Sequence, residues 1–151
     1  MPRKPRMYLA GMPYHVIARG NNRQACFFKP RDYHFYLDCL AKASEKYKVA
    51  VHAYVLMTNH VHLLMSPVAS TGISSVMQSV GRRYVQHVNT RYQRSGTLYQ
   101  SRHSASAIST DRYLLAVHRY IELNPVRANI VERPDDYQCS SYAANALGQP
   151  N

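Results

Sequence analysis

Thr58-Asn59-His60-Val61-His62-Leu63-Leu64-Met65 is the stretch whose reading decides the fold. Side chains at i and i+2 of an extended strand leave by the same face. His60 and His62 therefore project together, while Val61, Leu63 and Met65 project oppositely. The stretch reads as a strand with core on one side and a pair of imidazoles on the other. Such a pair can hold a cation, or can simply be two polar residues on the wet face of a half-buried strand.

Immediately before it, Val49 to Met57 reads as a second strand joined by a very short connection. A slip of one residue in register reverses every side chain, so the length of that connection matters. A two-residue turn pairs Met57 with His60 and puts Val51 and Val55 on the histidine face. A three-residue loop pairs Leu56 with His60 and sends Val51, Ala53 and Val55 into the core with Val61 and Leu63. The second keeps the branched residues together and is preferred; it places His52 and Tyr54 on the histidine face.

Working outward, Tyr14 to Arg19 alternates as a first strand and Gly20-Asn21-Asn22-Arg23 reads as a turn. Residues 31–48 space Tyr33, Tyr36, Leu37, Leu40, Ala41 and Tyr47 as a helix would, with Asp32 available as a cap. After Pro67 and Gly72, a helix over 73–92 carries Ile73, Val76, Met77, Val80, Tyr84 and Val88 on one buried stripe. Arg82, Arg83, His87 and Arg91 lie on its other face, either solvated or against backbone phosphates. Residues 97–108 hold a fourth strand that includes Arg102 and His103. A last helix, capped at Thr110 or Asp111, runs to Pro125 and buries Leu114, Val117 and Ile121. Tyr113, Tyr120 and Asn124 fall on an adjoining stripe, and Tyr120 and Asn124, four apart, are neighbours on it. A residue before proline is biased away from helical geometry, so this helix should end or kink at Asn124.

Strand, helix, strand, strand, helix, strand is the split βαβ order of an α+β, ferredoxin-like sandwich. It predicts an antiparallel sheet with two helices on one face and the other face open for a site, the last helix lying near the histidine strand.

At 151 residues the chain reads as one domain, 1–151, with an extended arm over 1–13 and a tail over 132–151. Lys and Arg number 19 against 8 Asp and Glu, a formal charge of +11, which points to a polyanionic partner and above all to nucleic acid. No apolar run approaches the ~20 residues of a spanning helix, and no secretory pattern follows the charged N-terminus. Cys26, Cys39 and Cys139 are scattered and odd in number, which excludes a disulfide framework. The expectation is a cytoplasmic protein with no membrane partner and no small-molecule substrate.

TNHVHLLM at 58–65 followed by RYIELNPVRA at 119–128 resembles the single-tyrosine HUH (IS200-like) transposases, and most closely the REP-associated tyrosine transposases. The resemblance extends to YHVIARGNNR at 14–23 and PDDYQCSSY at 134–142, nearly the whole chain. It implies that His60 and His62 bind a divalent metal, that Tyr120 is the nucleophile and that Asn124 supplies an amide-type third ligand. With the basic charge, Arg3, Lys4, Arg6, Arg19, Asn21, Arg23, Arg82, Arg83 and Arg102 are the candidate DNA-binding residues. Members of this kind cut single-stranded DNA beside an imperfect hairpin, leaving a 5′-phosphotyrosine and a free 3′-hydroxyl, and rejoin ends by the reverse reaction. The chain would act as a monomer or homodimer.

The chemistry agrees. Two neutral imidazoles and an amide oxygen leave a divalent ion with open positions for phosphate oxygens. Mg²⁺ prefers oxygen ligands, so the imidazoles suit Mn²⁺ at least as well. A phenol of pKa about 10 must lose its proton as it attacks, and no general base is identifiable. Tyr113 lacks a partner like Asn124 and reads as structural. His15, His34, His87 and His118 read as surface or satisfied histidines, whereas His52 and His103 are candidates for lining the site. Two other classes remain: a non-catalytic nucleic-acid binder using an open sheet face, and a relaxase or replication-initiator type of HUH nuclease.

Overall fold

The computed structural model describes residues 8–21, 24–99, 103–127 and Ser140. Arg3, Lys4, Arg6, Arg23 and Arg102 lie outside the described residues, as does the tail apart from Ser140. The elements are β1 (Tyr14–Arg19), α1 (Pro30–Lys46), β2 (Val49–Met57), β3 (His60–Pro67), α2 (Gly72–Arg91), β4 (Ser104–Ala107), α3 (Asp111–Glu122) and α4 (Asn124–Arg127). The four strands form one sheet in the order β2-β3-β1-β4, with every neighbouring pair antiparallel. That is the order the split βαβ reading requires. The fourth strand falls within the 97–108 stretch expected to hold it, and His103, expected inside the strand, stands just before it.

α1 begins where Pro30 can occupy the first turn without needing its missing amide. Asp32 caps it from inside the helix, with Lys29 at the N-cap: its Oδ2 accepts from the Phe28 and Lys29 amides at 2.9 Å each. The same buried carboxylate accepts from Tyr92 Oη at 2.7 Å and His87 Nε2 at 3.0 Å, which ties α1 to α2. Burial alone would raise its pKa, but the bonds from Tyr92, His87 and the two amides outweigh it and hold the carboxyl below its ordinary value. The folded chain therefore binds fewer protons than the unfolded one as pH falls through about 4. Stability from Asp32 is present above that value and is lost as pH drops through the folded pKa. Asp32→Ala strands four donors and should cost about 3 kcal/mol in urea unfolding at pH 7. The loss relative to the unaltered protein should shrink towards acid.

Two cores flank the sheet. Val16, Ala18, Tyr54, Leu56, Val61, Leu63 and Met65 face α1 and α2, meeting Tyr36, Leu40, Ile73, Val80, Tyr84 and Val88. On α1 the buried small residue is Ala43, while Ala41 is exposed. Ala53, Val55, Met57 and Leu64 face the other way, beneath Ile108 and the Val117 and Ile121 side chains of α3. Cys26 and Cys39 are buried and unpaired.

The second core corrects the expected register. Met57 pairs with His60 and Val55 with His62, so Thr58-Asn59 is a two-residue turn and Val55 shares the histidine face. Tyr54 pairs with Leu63 and faces the first core instead. A bulge between Val51 and Ala53 restores Val51 to a position opposite Met65. Keeping the branched residues together assumed a single core, whereas α3 covers part of the histidine face and gives Val55 an apolar site there. The face expected to be open is thus covered over β2 and β3.

Candidate functional site

Residues directly opposite in an antiparallel pair share a face. Ile17 stands opposite His62 and Arg19 opposite His60, so His15, Ile17 and Arg19 of β1 join the two histidines. His62 is only 3% exposed, and the His60 ring meets it edge-on with centroids 4.8 Å apart. The Nδ1 atoms of both are engaged: His60 Nδ1 lies 2.7 Å from Asn59 Oδ1, and His62 Nδ1 lies 3.0 Å from His15 Nε2. Both Nε2 atoms are left for other partners. Burial, reinforced by the neighbouring His60, His15 and Arg19, pushes the His62 pKa down to about 3. Burial and Arg19 lower that of His60, and burial that of His15. The imidazoles are therefore neutral at physiological pH, the form that offers a lone pair.

α3 delivers the remaining groups. Thr110 Oγ1 accepts from the Tyr113 amide at 3.1 Å and sets its start. Val117 and Ile121 in the second core set its rotation. Tyr120, beside Ile121, is 40% exposed, and its ring stands nearly perpendicular to His62, 5.8 Å between centroids. It meets His15 edge-on at 6.2 Å. The helix stops at Glu122 and the chain resumes as the single turn α4 at Asn124, the break expected before Pro125. Asn124 Nδ2 then lies 3.5 Å from His62 Nε2, across 62 positions of sequence. Turning the amide would offer Oδ1 at the same place. Among the described residues no three His, Cys, Asp or Glu side chains gather to hold a metal ion. A cation at His60 and His62 would take its third protein ligand from the Asn124 amide.

The other expected residues divide. Arg19 is exposed beside His60, and Asn21 lies in the turn after β1. Arg82 and Arg83 are exposed on α2, across the sheet from the histidines. His52 bonds Ser66 Oγ at 2.7 Å, towards the far end of β3, and His103 bonds Tyr8 Oη at 2.7 Å beside the first core. His87 and His118 are satisfied by Asp32 and Glu122. His15, read as an ordinary satisfied histidine, belongs to the site. Its signal lay in the topology: split βαβ order puts β1 beside β3, and burying Val16 and Ala18 turns His15 onto the other face.

A family model described as "Transposase IS200 like" matches residues 8–124, a span that includes both histidines, Tyr120 and Asn124. The chain belongs to the IS200-like transposase family. The fold of this transposase is similar to that of a REP-associated tyrosine transposase bound to a REP hairpin, with TM-score 0.81 and 18% identity over 97% of this chain and 86% of that one. A putative transposase from Deinococcus radiodurans R1 matches with TM-score 0.54 and 18% identity, covering 80% of this chain and 96% of that one. A bacterial tRNA(His) guanylyltransferase-like protein in complex with ATP matches with TM-score 0.51 and 10% identity over 96% and 72%. At these identities the likenesses speak to fold alone. No curated protein sequence matches the chain. No described helix is long and apolar enough to cross a membrane.

Proposed function

We propose that this IS200-like transposase is a divalent-metal-dependent endonuclease and strand transferase, cutting single-stranded DNA beside a hairpin through a 5′-phosphotyrosine at Tyr120. The observation that carries this reading is the convergence of the Tyr120 ring and the Asn124 amide on one buried histidine, His62. Neutral imidazoles with their Nδ1 atoms engaged and their Nε2 atoms turned elsewhere form a donor set that fits a divalent cation. His60, His62 and Asn124 would hold Mg²⁺ or Mn²⁺, which would act as a Lewis acid on the scissile phosphate.

The chain's own groups account for the rest. Tyr120 Oη forms a bond to phosphorus and loses its proton; the bond from phosphorus to the 3′-oxygen breaks, and that oxygen takes up a proton. The phosphotyrosine ester conserves the bond energy, so a 3′-hydroxyl can reverse the step without ATP. Arg19, exposed beside His60, would meet a phosphate. The charge of +11 favours a polyanion, with Arg3, Lys4, Arg6, Asn21, Arg23 and Arg102 as further DNA contacts. Arg82 and Arg83, across the sheet, would meet DNA only where it wraps past α2. Hairpin recognition is supported by the similarity to a transposase whose structure holds a REP hairpin.

A non-catalytic binder stacking bases on an open sheet would need the histidine face bare, and α3 occupies it over β2 and β3. The test is to incubate the protein with end-labelled hairpin single-stranded DNA and Mn²⁺, then resolve it on a denaturing gel. A labelled protein–DNA species that chelator prevents is expected. Intact DNA in every lane would leave a binder.

A further inference from the structure

We infer that His15 is a positioning residue that fixes the proton of His62 on Nδ1 and so keeps Nε2 open for a cation. This rests on reading His62 as a metal ligand. The two side chains are diagonal neighbours on the same face of β1 and β3, since His15 pairs with Leu64 and His62 with Ile17. Their rings lie 28° from parallel with centroids 5.2 Å apart, and His15 Nε2 lies 3.0 Å from His62 Nδ1. Two neutral imidazoles in that contact share a single N–H. If the proton sat on His15 Nε2, His62 would accept it at Nδ1, carry its own proton on Nε2 and have no lone pair for a metal. If it sits on His62 Nδ1, His15 accepts it and Nε2 is bare.

A cation on Nε2 is compatible only with the second arrangement, in which His15 Nε2 is the acceptor. The Asn124 amide lies 3.5 Å from Nε2 and can turn either of its atoms there, so the orienting partner of His62 is the one on its Nδ1 side. His60 reaches the same state differently, through Asn59 Oδ1, which can only accept. The site therefore has a separate orienting partner for each histidine, one from the turn before β3 and one from the neighbouring strand.

The test reads tautomer and metal affinity, not turnover. In the metal-free protein, long-range ¹H–¹⁵N NMR of the ring nitrogens should show His62 protonated on Nδ1 and bare on Nε2. The reverse tautomer would overturn the inference. Calorimetric Mn²⁺ binding should weaken ~10- to 100-fold in His15→Ala. His15→Gln, which restores an acceptor, should recover most of that loss at similar thermal stability. A side chain serving only to fill space would show no difference between the two variants beyond volume. His62→Ala separates the possible failures. If it abolishes binding while His15→Ala binds like the unaltered protein, only the role of His15 falls. If His62→Ala also binds normally, the reading of the site falls with it. Should His15→Ala fail to fold, the tautomer in the unaltered protein decides.

Discussion

Tyr120→Phe should eliminate the covalent protein–DNA adduct while leaving hairpin affinity and thermal stability close to those of the unaltered protein. The substitution removes one oxygen from a side chain that is 40% exposed and keeps the ring that meets His62 and His15. Little apolar burial is lost, and the Val117 and Ile121 anchors that seat α3 are untouched. The proposed nucleophile disappears, so cleavage should fall by at least ~10³-fold. Tyr113 cannot substitute. It lies seven residues earlier on α3, about 10 Å along the helix axis, and is held near the N-terminal cap. Incubating each protein with 5′- and 3′-labelled hairpin DNA, then mapping any adduct by peptide digestion, checks this directly. An adduct that persists in Tyr120→Phe, or that maps to Tyr113, would place the nucleophile elsewhere.

The parts of this arrangement legible in sequence were those set by local periodicity. β1 falls at the expected residues, and α2 buries Ile73, Val76, Val80, Tyr84 and Val88 as its spacing requires. α3 starts on the Thr110 cap and breaks ahead of Pro125. The β2–β3 register was not legible, because the alternation of Val51, Ala53 and Val55 says that one face is apolar without saying which helix covers it. Only the docking of α3 on β2 and β3 makes the Val55 face a core, and the bulge at His52 breaks the alternation that the reading relied on. His15 escaped for a related reason. A histidine in an alternating strand looks like a solvated residue until the neighbouring strand and its register are known. His52 was a candidate through the preferred register and His103 through its place at the fourth strand, and the structure bonds them to Ser66 and Tyr8.

His62→Ala should be the more damaging of the two histidine substitutions. His62 is buried, in contact with His15 on one edge and Asn124 on the other, whereas His60 is half-buried at the start of β3. Its loss would remove a proposed metal ligand and also leave Asn124 Nδ2 and His15 Nε2 without the partner between them. Mn²⁺ binding should fall below detection, and cleavage by ~10³-fold or more, with no recovery at high metal concentration. Asn124→Ala should behave differently. A water can replace one amide oxygen on a divalent ion, so affinity should drop about 10- to 100-fold and activity should return in part as Mn²⁺ is raised. The depressed pKa of His62 adds a second signature. A free imidazole begins to lose its metal to protons near pH 6.5. Here burial keeps His62 neutral to about 3, so its protonation should not limit Mn²⁺ binding between pH 5 and pH 6.5. Calorimetric titrations across that range check the point. An affinity that collapses below pH 6.5 with the profile of an ordinary histidine would place the limiting protonation on the more exposed His60 rather than on His62.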